Sequence, residues 1–152
     1  MQTITSFFTR GVGYDIILLV FPFESQMSNV ELTDILKERL HVVKPFELKS
    51  GGISKKVETF GNYLFLNVMQ GTKEIEFIHQ ALYDNEFKEF DIGLPYIPHM
   101  TIRNLSSVEL LNNAFNNIKS LKDTFSTVVK KISVEMIGYN EESIIVIEKE
   151  LV

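Results

Sequence analysis

Three histidines, His41, His79 and His99, supply every imidazole in a chain of 152 residues, and no cysteine accompanies them. Proton transfer near neutral pH therefore has to draw on these rings, the side chains whose ordinary pKa lies in that range. His99 stands in Pro98-His99-Met100-Thr101-Ile102. In a strand, residues i and i+2 project to one face, so His99 and Thr101 stand side by side. Such a pair suits phosphate chemistry: the ring transfers a proton and the hydroxyl donates to a non-bridging oxygen. The same spacing also describes an ordinary half-buried histidine and threonine, and three residues alone do not choose between the two. Arg103 follows at i+2 again and would offer a cation to a phosphate, or else is an exposed strand-end arginine. Tyr96, with Tyr63 and Phe65, could stack on a base as aromatics do in single-stranded RNA sites, or pack in the core. His41 opens His41-Val42-Val43 at a helix end, where the dipole favours an imidazole, and has no hydroxyl two residues on. His79 lies on an apolar helix stripe and reads as a structural boundary residue.

The elements that must position these groups are legible in outline. Ile16 to Phe21 is a continuous aliphatic run, expected to be a strand buried on both faces and ended by Pro22. Ser28-Asn29-Val30-Glu31 is a capping box ahead of a helix over 29–40. Phe46 to Lys49 opens a strand, Gly51-Gly52 marks a bend, and Tyr63 to Val68 is another strand. Thr72 is read as the cap of a second helix carrying Ile75, Ile78, His79 and Leu82 on one stripe. Residues 84–95 are irregular, Tyr96 to Ile102 is a short strand, and Ser106 or Ser107 starts a third helix. Thr127–Ile137 and Ser143–Glu148 form a terminal hairpin. Adjacent strands mixed with crossover helices indicate an α+β fold. A strand, a capped helix and two strands occur at 16–68 and again at 97–148, a rough duplication of elements. Residues 1–14 show no period and are read as a divergent arm, leaving 15–152 as a single domain.

Composition narrows the function classes. Apolar residues make up 45% and charged residues 23% of the chain, which includes 12 Phe and 5 Tyr, enough for a core without disulfide or metal support. Without cysteine there is no thiol nucleophile and no cysteine-ligated metal, a composition that fits a reducing compartment without proving one. A net charge of −5 argues against broad binding to duplex DNA, which needs a basic surface to displace counterions. The longest apolar run, Ile16 to Phe23, is far short of the roughly 20 residues that span a bilayer. A cytoplasmic protein without a membrane partner is the expectation.

Taken in order, several stretches resemble the two-histidine phosphoesterase superfamily, in its bacterial 2′-5′ RNA ligase-like branch. They are Val20-Phe21-Pro22-Phe23-Glu24-Ser25, Pro45-Phe46-Glu47-Leu48 with Gly51-Gly52-Ile53, Tyr63-Leu64-Phe65-Leu66-Asn67-Val68, Ile78-His79 and Ile97-Pro98-His99-Met100-Thr101-Ile102. The resemblance implies two pseudo-symmetric lobes of antiparallel-rich sheet, helices packed outside, and a central cleft. Each lobe would supply one His-x-Thr motif, the histidines acting as general base and acid on a 2′-linked or cyclic phosphodiester and the threonines holding the phosphate. No metal or other cofactor is implied. His99 and Thr101 occupy the second motif; Arg103 and Tyr96 are candidate substrate contacts beside it. The first motif is absent. Counting back from Phe21 without a gap, its histidine position falls on Ile16 and its threonine on Leu18. One inserted residue moves them to Asp15, a conceivable carboxylate base, and Ile17.

Three functions follow as expectations. The first is a 2H-type cyclic phosphodiesterase or 2′-5′ RNA ligase-like protein acting weakly on RNA ends or 2′,3′-cyclic nucleotides. The second is a non-catalytic remnant that binds a nucleotide, a phosphate or an RNA terminus. The third is a module that self-associates into a homodimer through the arm, where loss of the family's first strand and helix would leave apolar surface uncovered.

Overall fold

In the computed structural model, which describes residues 3–10 and 16–152, the capping box forms as its residue types require. The Ser28 hydroxyl accepts from the Glu31 amide at 3.2 Å and the Glu31 carboxylate accepts from the Ser28 amide at 2.7 Å. Helix α1 (Asn29–Leu40) follows. Helix α2 (Thr72–Tyr83) starts differently: its cap is Gly71, in the left-handed region at φ 93°, and Thr72 is the first helical residue. A Cβ at Gly71 would come within 2.8 Å of the Glu47 carbonyl, so glycine takes the cap where a side-chain cap was expected. Helix α3 (Val108–Ile118) is capped by Ser107, whose hydroxyl accepts from the Leu110 amide.

Eight strands among the described residues complete the fold: β1 (Thr3–Arg10), β2 (Ile16–Ser25), β3 (Phe46–Glu58), β4 (Gly61–Gln70), β5 (His99–Leu105), β6 (Thr124–Val129), β7 (Lys131–Ile137) and β8 (Ser143–Glu150). They make one sheet in the order β6-β3-β4-β5-β2-β1-β7-β8, with every pairing antiparallel. The stretch read as an arm thus contains an inner strand, β1, paired on both sides. Its missing period follows from that place: Thr5 to Thr9 are all buried, so the strand has no wet face to alternate with a dry one. The β1–β2 register shifts between Thr5 and Phe7 and again between Phe7 and Phe8, each time with the extra residue on β2. Pro22 does not end β2. It falls in the first of these bulges, between the pairs Phe7↔Val20 and Thr5↔Phe23, where the proline's missing N–H is not needed.

The sheet divides into two lobes of four strands, β5-β4-β3-β6 and β2-β1-β7-β8, joined among the described residues at the single pair Ile17↔Met100. This is the α+β, two-lobed plan expected, with the chain threaded differently. The lobes are interlaced: β3 to β6 build one, and β1, β2, β7 and β8 build the other. The duplicated stretches 16–68 and 97–148 are therefore not the spatial halves. The stretch 127–137, read as one strand, breaks at Lys130 because β6 pairs with β3 while β7 pairs with β1 and β8 in the opposite lobe.

Helices α1 and α2 pack against each other and against β8 and β2, and α3 lies on β3, β4 and β5. The main core forms where Leu32, Leu36 and Leu40 of α1 meet Ile75, Ile78 and Leu82 of α2 over Ile17, Leu19, Ile132 and Val134. Each such side chain contributes about 1.5–3 kcal/mol on burial, enough to hold the backbone of β2 at a defined height over the helices. Phe7 closes the core edge-on to Phe87 at 5.0 Å. Among the described residues no helix is long and apolar enough to cross a membrane.

Candidate functional site

The lobe junction is what places the site. Ile17 and Met100, paired across β2 and β5, are both buried in the core. Their neighbours along each strand project to the other face. On β5 these are His99 and Thr101; on β2 they are Ile16 and Leu18. Continuing the antiparallel register outward sets Leu18 beside His99 and Ile16 beside Thr101. The two strands are thus related by a local two-fold through Ile17 and Met100. The ungapped count, which assigns the missing motif to Ile16 and Leu18, agrees with this register. The gapped count puts the threonine position on Ile17, which is fully buried against Met100 and faces away from the site. Its other half, Asp15, lies outside the described residues.

His99 and Thr101 open into a cleft of about 740 Å³ whose walls include Leu18, Asn67, Phe65 and Tyr96. His99 Nδ1 is 2.6 Å from the Ile97 carbonyl. A carbonyl can only accept, so the proton sits on Nδ1 and the lone pair is on Nε2. The Phe65 ring covers the imidazole at 3.8 Å between centroids. Burial lowers the His99 pKa below its ordinary value; the Ile97 carbonyl and Glu58 pull it up and Lys56 pushes it down. The ring is neutral at pH 7 and fit to accept a proton. Lys56 reaches Glu58 at 3.5 Å, so one cation at the rim is partly matched by a carboxylate. The described residues include no group of three or more His, Cys, Asp or Glu able to hold a metal ion.

Tyr96 lines the cleft but is tied by its hydroxyl. It donates to the Leu18 carbonyl at 2.7 Å, and burial raises the hydroxyl's pKa, so it remains a protonated donor. Its ring lies flat on His79, 3.7 Å away with 4° between planes. His79 Nδ1 meets the Leu19 carbonyl at 2.7 Å, and the Tyr83 hydroxyl accepts from the Phe21 amide at 3.1 Å. Pro98 accounts for the contact at Leu19 in this side-chain clamp. The β2–β5 register would bring Pro98 opposite Leu19, and proline has no N–H to continue the ladder. Side chains from α2 and the 91–98 segment satisfy the β2 backbone instead. His79 is thus the half-buried structural residue expected, with its pKa lowered by burial.

Arg103 is not brought to the cleft. The β4–β5 register shifts between Leu64 and Phe65, so Thr101 pairs with Phe65 while Arg103 pairs with Leu64. Paired residues share a face and neighbours along a strand oppose, so the bulge turns Arg103 to the face opposite Thr101. The i+2 spacing could not reveal an inserted residue at 102. His41 caps α1, with Nδ1 2.7 Å from the Glu38 carbonyl, away from the cleft. Tyr63 stacks on Phe65 at 5.7 Å, extending an aromatic wall from His99. Asn67 and Ser54, which no motif pointed to, also line the cleft; their only sequence signal is strand alternation.

The family model described as the 2′-5′ RNA ligase superfamily matches residues 17–137 of the chain. Among solved structures, Escherichia coli LigT complexed with 3′-AMP is similar at a TM-score of 0.67 and 12% identity, over 99% of each chain. LigT complexed with ATP has a TM-score of 0.63 at 12% identity, also over 99% of each chain. A Thermus thermophilus protein has a TM-score of 0.60 at 10% identity, over 97% of each chain. At these identities the likeness is one of fold. No curated protein matches.

Proposed function

Because the chain belongs to the 2′-5′ RNA ligase superfamily, we propose that its cleft binds the phosphate-bearing end of a nucleotide or RNA, with His99 as the one proton-transfer group and Thr101 as a phosphate ligand. The observation that carries this reading is the register at Ile17↔Met100. By it a neutral imidazole and a hydroxyl stand on the β5 side of the cleft, with Leu18 on its β2 wall and Ile16 farther along that strand beside Thr101. His99 Nε2 can take a proton from water or a ribose hydroxyl. Ile16 and Leu18 can neither protonate a leaving oxygen nor donate to a phosphate. Losing one positioned proton-transfer group slows a reaction about 10²–10⁴-fold. Binding is therefore expected to persist where cleavage of 2′,3′-cyclic or 2′-5′ linked substrates is feeble. The bound nucleotides named for LigT, 3′-AMP and ATP, make the same class of ligand reasonable here.

Calorimetry with ribonucleoside monophosphates, run beside hydrolysis assays on 2′,3′-cyclic mononucleotides and a 2′-5′ dinucleotide, tests this. Micromolar to millimolar binding that weakens in His99→Ala and Thr101→Val supports it, as does slow cleavage abolished by His99→Ala. Absence of heat with every nucleotide, or cleavage indifferent to His99→Ala, overturns it.

A further inference from the structure

Where in the cleft the phosphate is held is a question that rests on the proposed function and goes beyond it. Pairing across β3, β4 and β5 sets Asn67 opposite His99, Phe65 opposite Thr101, and Ser54 opposite Phe65. Paired residues share a face, and all of these line the cleft. The Ser54 hydroxyl donates to Asn67 Oδ1 at 2.7 Å. With its oxygen engaged, the amide has its NH₂ left to offer, and that is a donor only. Nδ2 lies over Gly52, which sits at φ 78° and whose missing Cβ would stand 3.4 Å away, ordinary contact distance. Among the described residues no acceptor engages Nδ2. His99 therefore has unlike neighbours across the sheet: Leu18 on the β2 side, with no polar atom in its side chain, and Asn67 on the β4 side, with two free N–H bonds.

A phosphate has three or more oxygens that need donors, and Thr101 supplies one. We propose that Asn67, oriented by Ser54, is a phosphate-binding residue, and that the anion sits off the two-fold axis, toward β4, where the amide replaces the donors that β2 lacks. His99 Nε2 then faces the group beside the phosphate, which must carry a hydrogen: a ribose hydroxyl or a water. The ligand class so selected is a ribonucleotide phosphate with an adjacent hydroxyl.

The test is calorimetry on the full chain with adenosine 3′-monophosphate, inorganic phosphate and adenosine. A hydrogen bond to a charged group is worth about 10- to 100-fold in affinity. Asn67→Ala is expected to weaken the 3′-monophosphate and inorganic phosphate about 10-fold. Asn67→Asp, which puts an anion beside the phosphate, is expected to weaken both further. Ser54→Ala, which frees the amide to rotate, should weaken them by less than Asn67→Ala. Adenosine should bind all variants alike. If Asn67→Asp binds phosphate as wild type does while His99→Ala and Thr101→Val weaken it, the inference is overturned and the proposed function stands. If wild type binds none of the phosphates, the proposed function falls, and the inference with it. Should Asn67→Asp fail to fold, Asn67→Ala and Ser54→Ala carry the same decision.

Discussion

Restoring the missing half of the site is the sharpest way to ask whether the cleft is a phosphodiesterase centre that lacks one acid–base group. The perturbation is Ile16→His with Leu18→Thr, which would create a His-x-Thr on β2 facing the one on β5. One proton-transfer group is worth about 10²–10⁴ in rate, or roughly 3–5.5 kcal/mol of barrier at about 1.4 kcal/mol per tenfold. The structure tolerates the change. Ile16 is already 37% exposed, so its loss forfeits only part of the ~1.5–3 kcal/mol of full aliphatic burial. Leu18 is half-buried, and what holds its position, the hydroxyl of Tyr96 on its carbonyl, is a backbone contact that survives the substitution. Together the replacements cost about 2–4 kcal/mol against a domain stability of ~5–15 kcal/mol. The assay is hydrolysis of 2′,3′-cyclic mononucleotides, with thermal melts to check folding. We expect kcat/KM to rise by about 10² or more over wild type, and the gain to vanish when His99→Ala is added. A folded double variant without gain, or with a gain that ignores His99, would refute the two-fold placement of Ile16 and Leu18.

Other outcomes follow from the same contacts. Tyr96→Phe removes the donor to the Leu18 carbonyl and should destabilise by about 1–3 kcal/mol in urea titrations, because a half-buried acceptor is left unpaired. His79→Ala should cost at least as much, since it also removes the stack on Tyr96, and His79→Asn should recover part of the loss by offering an amide N–H to Leu19. Ser28→Ala should cost about 1 kcal/mol through the lost cap of α1, read by the same titrations. His79 and His99 both have pKa values held below 6.5 by burial. The unfolded chain therefore takes up protons first, and stability, complete above pH 6.5, should decline as pH falls below it through the lowered folded values. Melting midpoints between about pH 7.5 and 5 check this. A slope unchanged in His99→Gln and His79→Asn would refute it.

Helix α1, its capping box and the hairpin of β7 and β8 were legible from residue order because local chemistry determines them. A hydroxyl three residues ahead of a glutamate, or a Gly-Tyr-Asn turn between β-branched runs, does not depend on what lies across the molecule. His99 and Thr101 were legible for the same reason, since a strand puts i and i+2 on one face wherever the strand lies. What packed against them was not. Strand β1 was hidden because it is buried on both faces and so shows no alternation, and Arg103 left the site because of one inserted residue that no spacing reports. Asn67 and Ser54 entered it through cross-strand register, a relation between residues 13 apart on adjacent strands. The decisive fact, that Ile16 and Leu18 rather than a second imidazole and hydroxyl stand beside Thr101 and His99, needed the residue pair joining two lobes from distant parts of the chain. Sequence dictates the periodicity of a strand, but the register between strands is set by which long-range pairing buries Ile17 and Met100 together, and only the assembled sheet shows that choice.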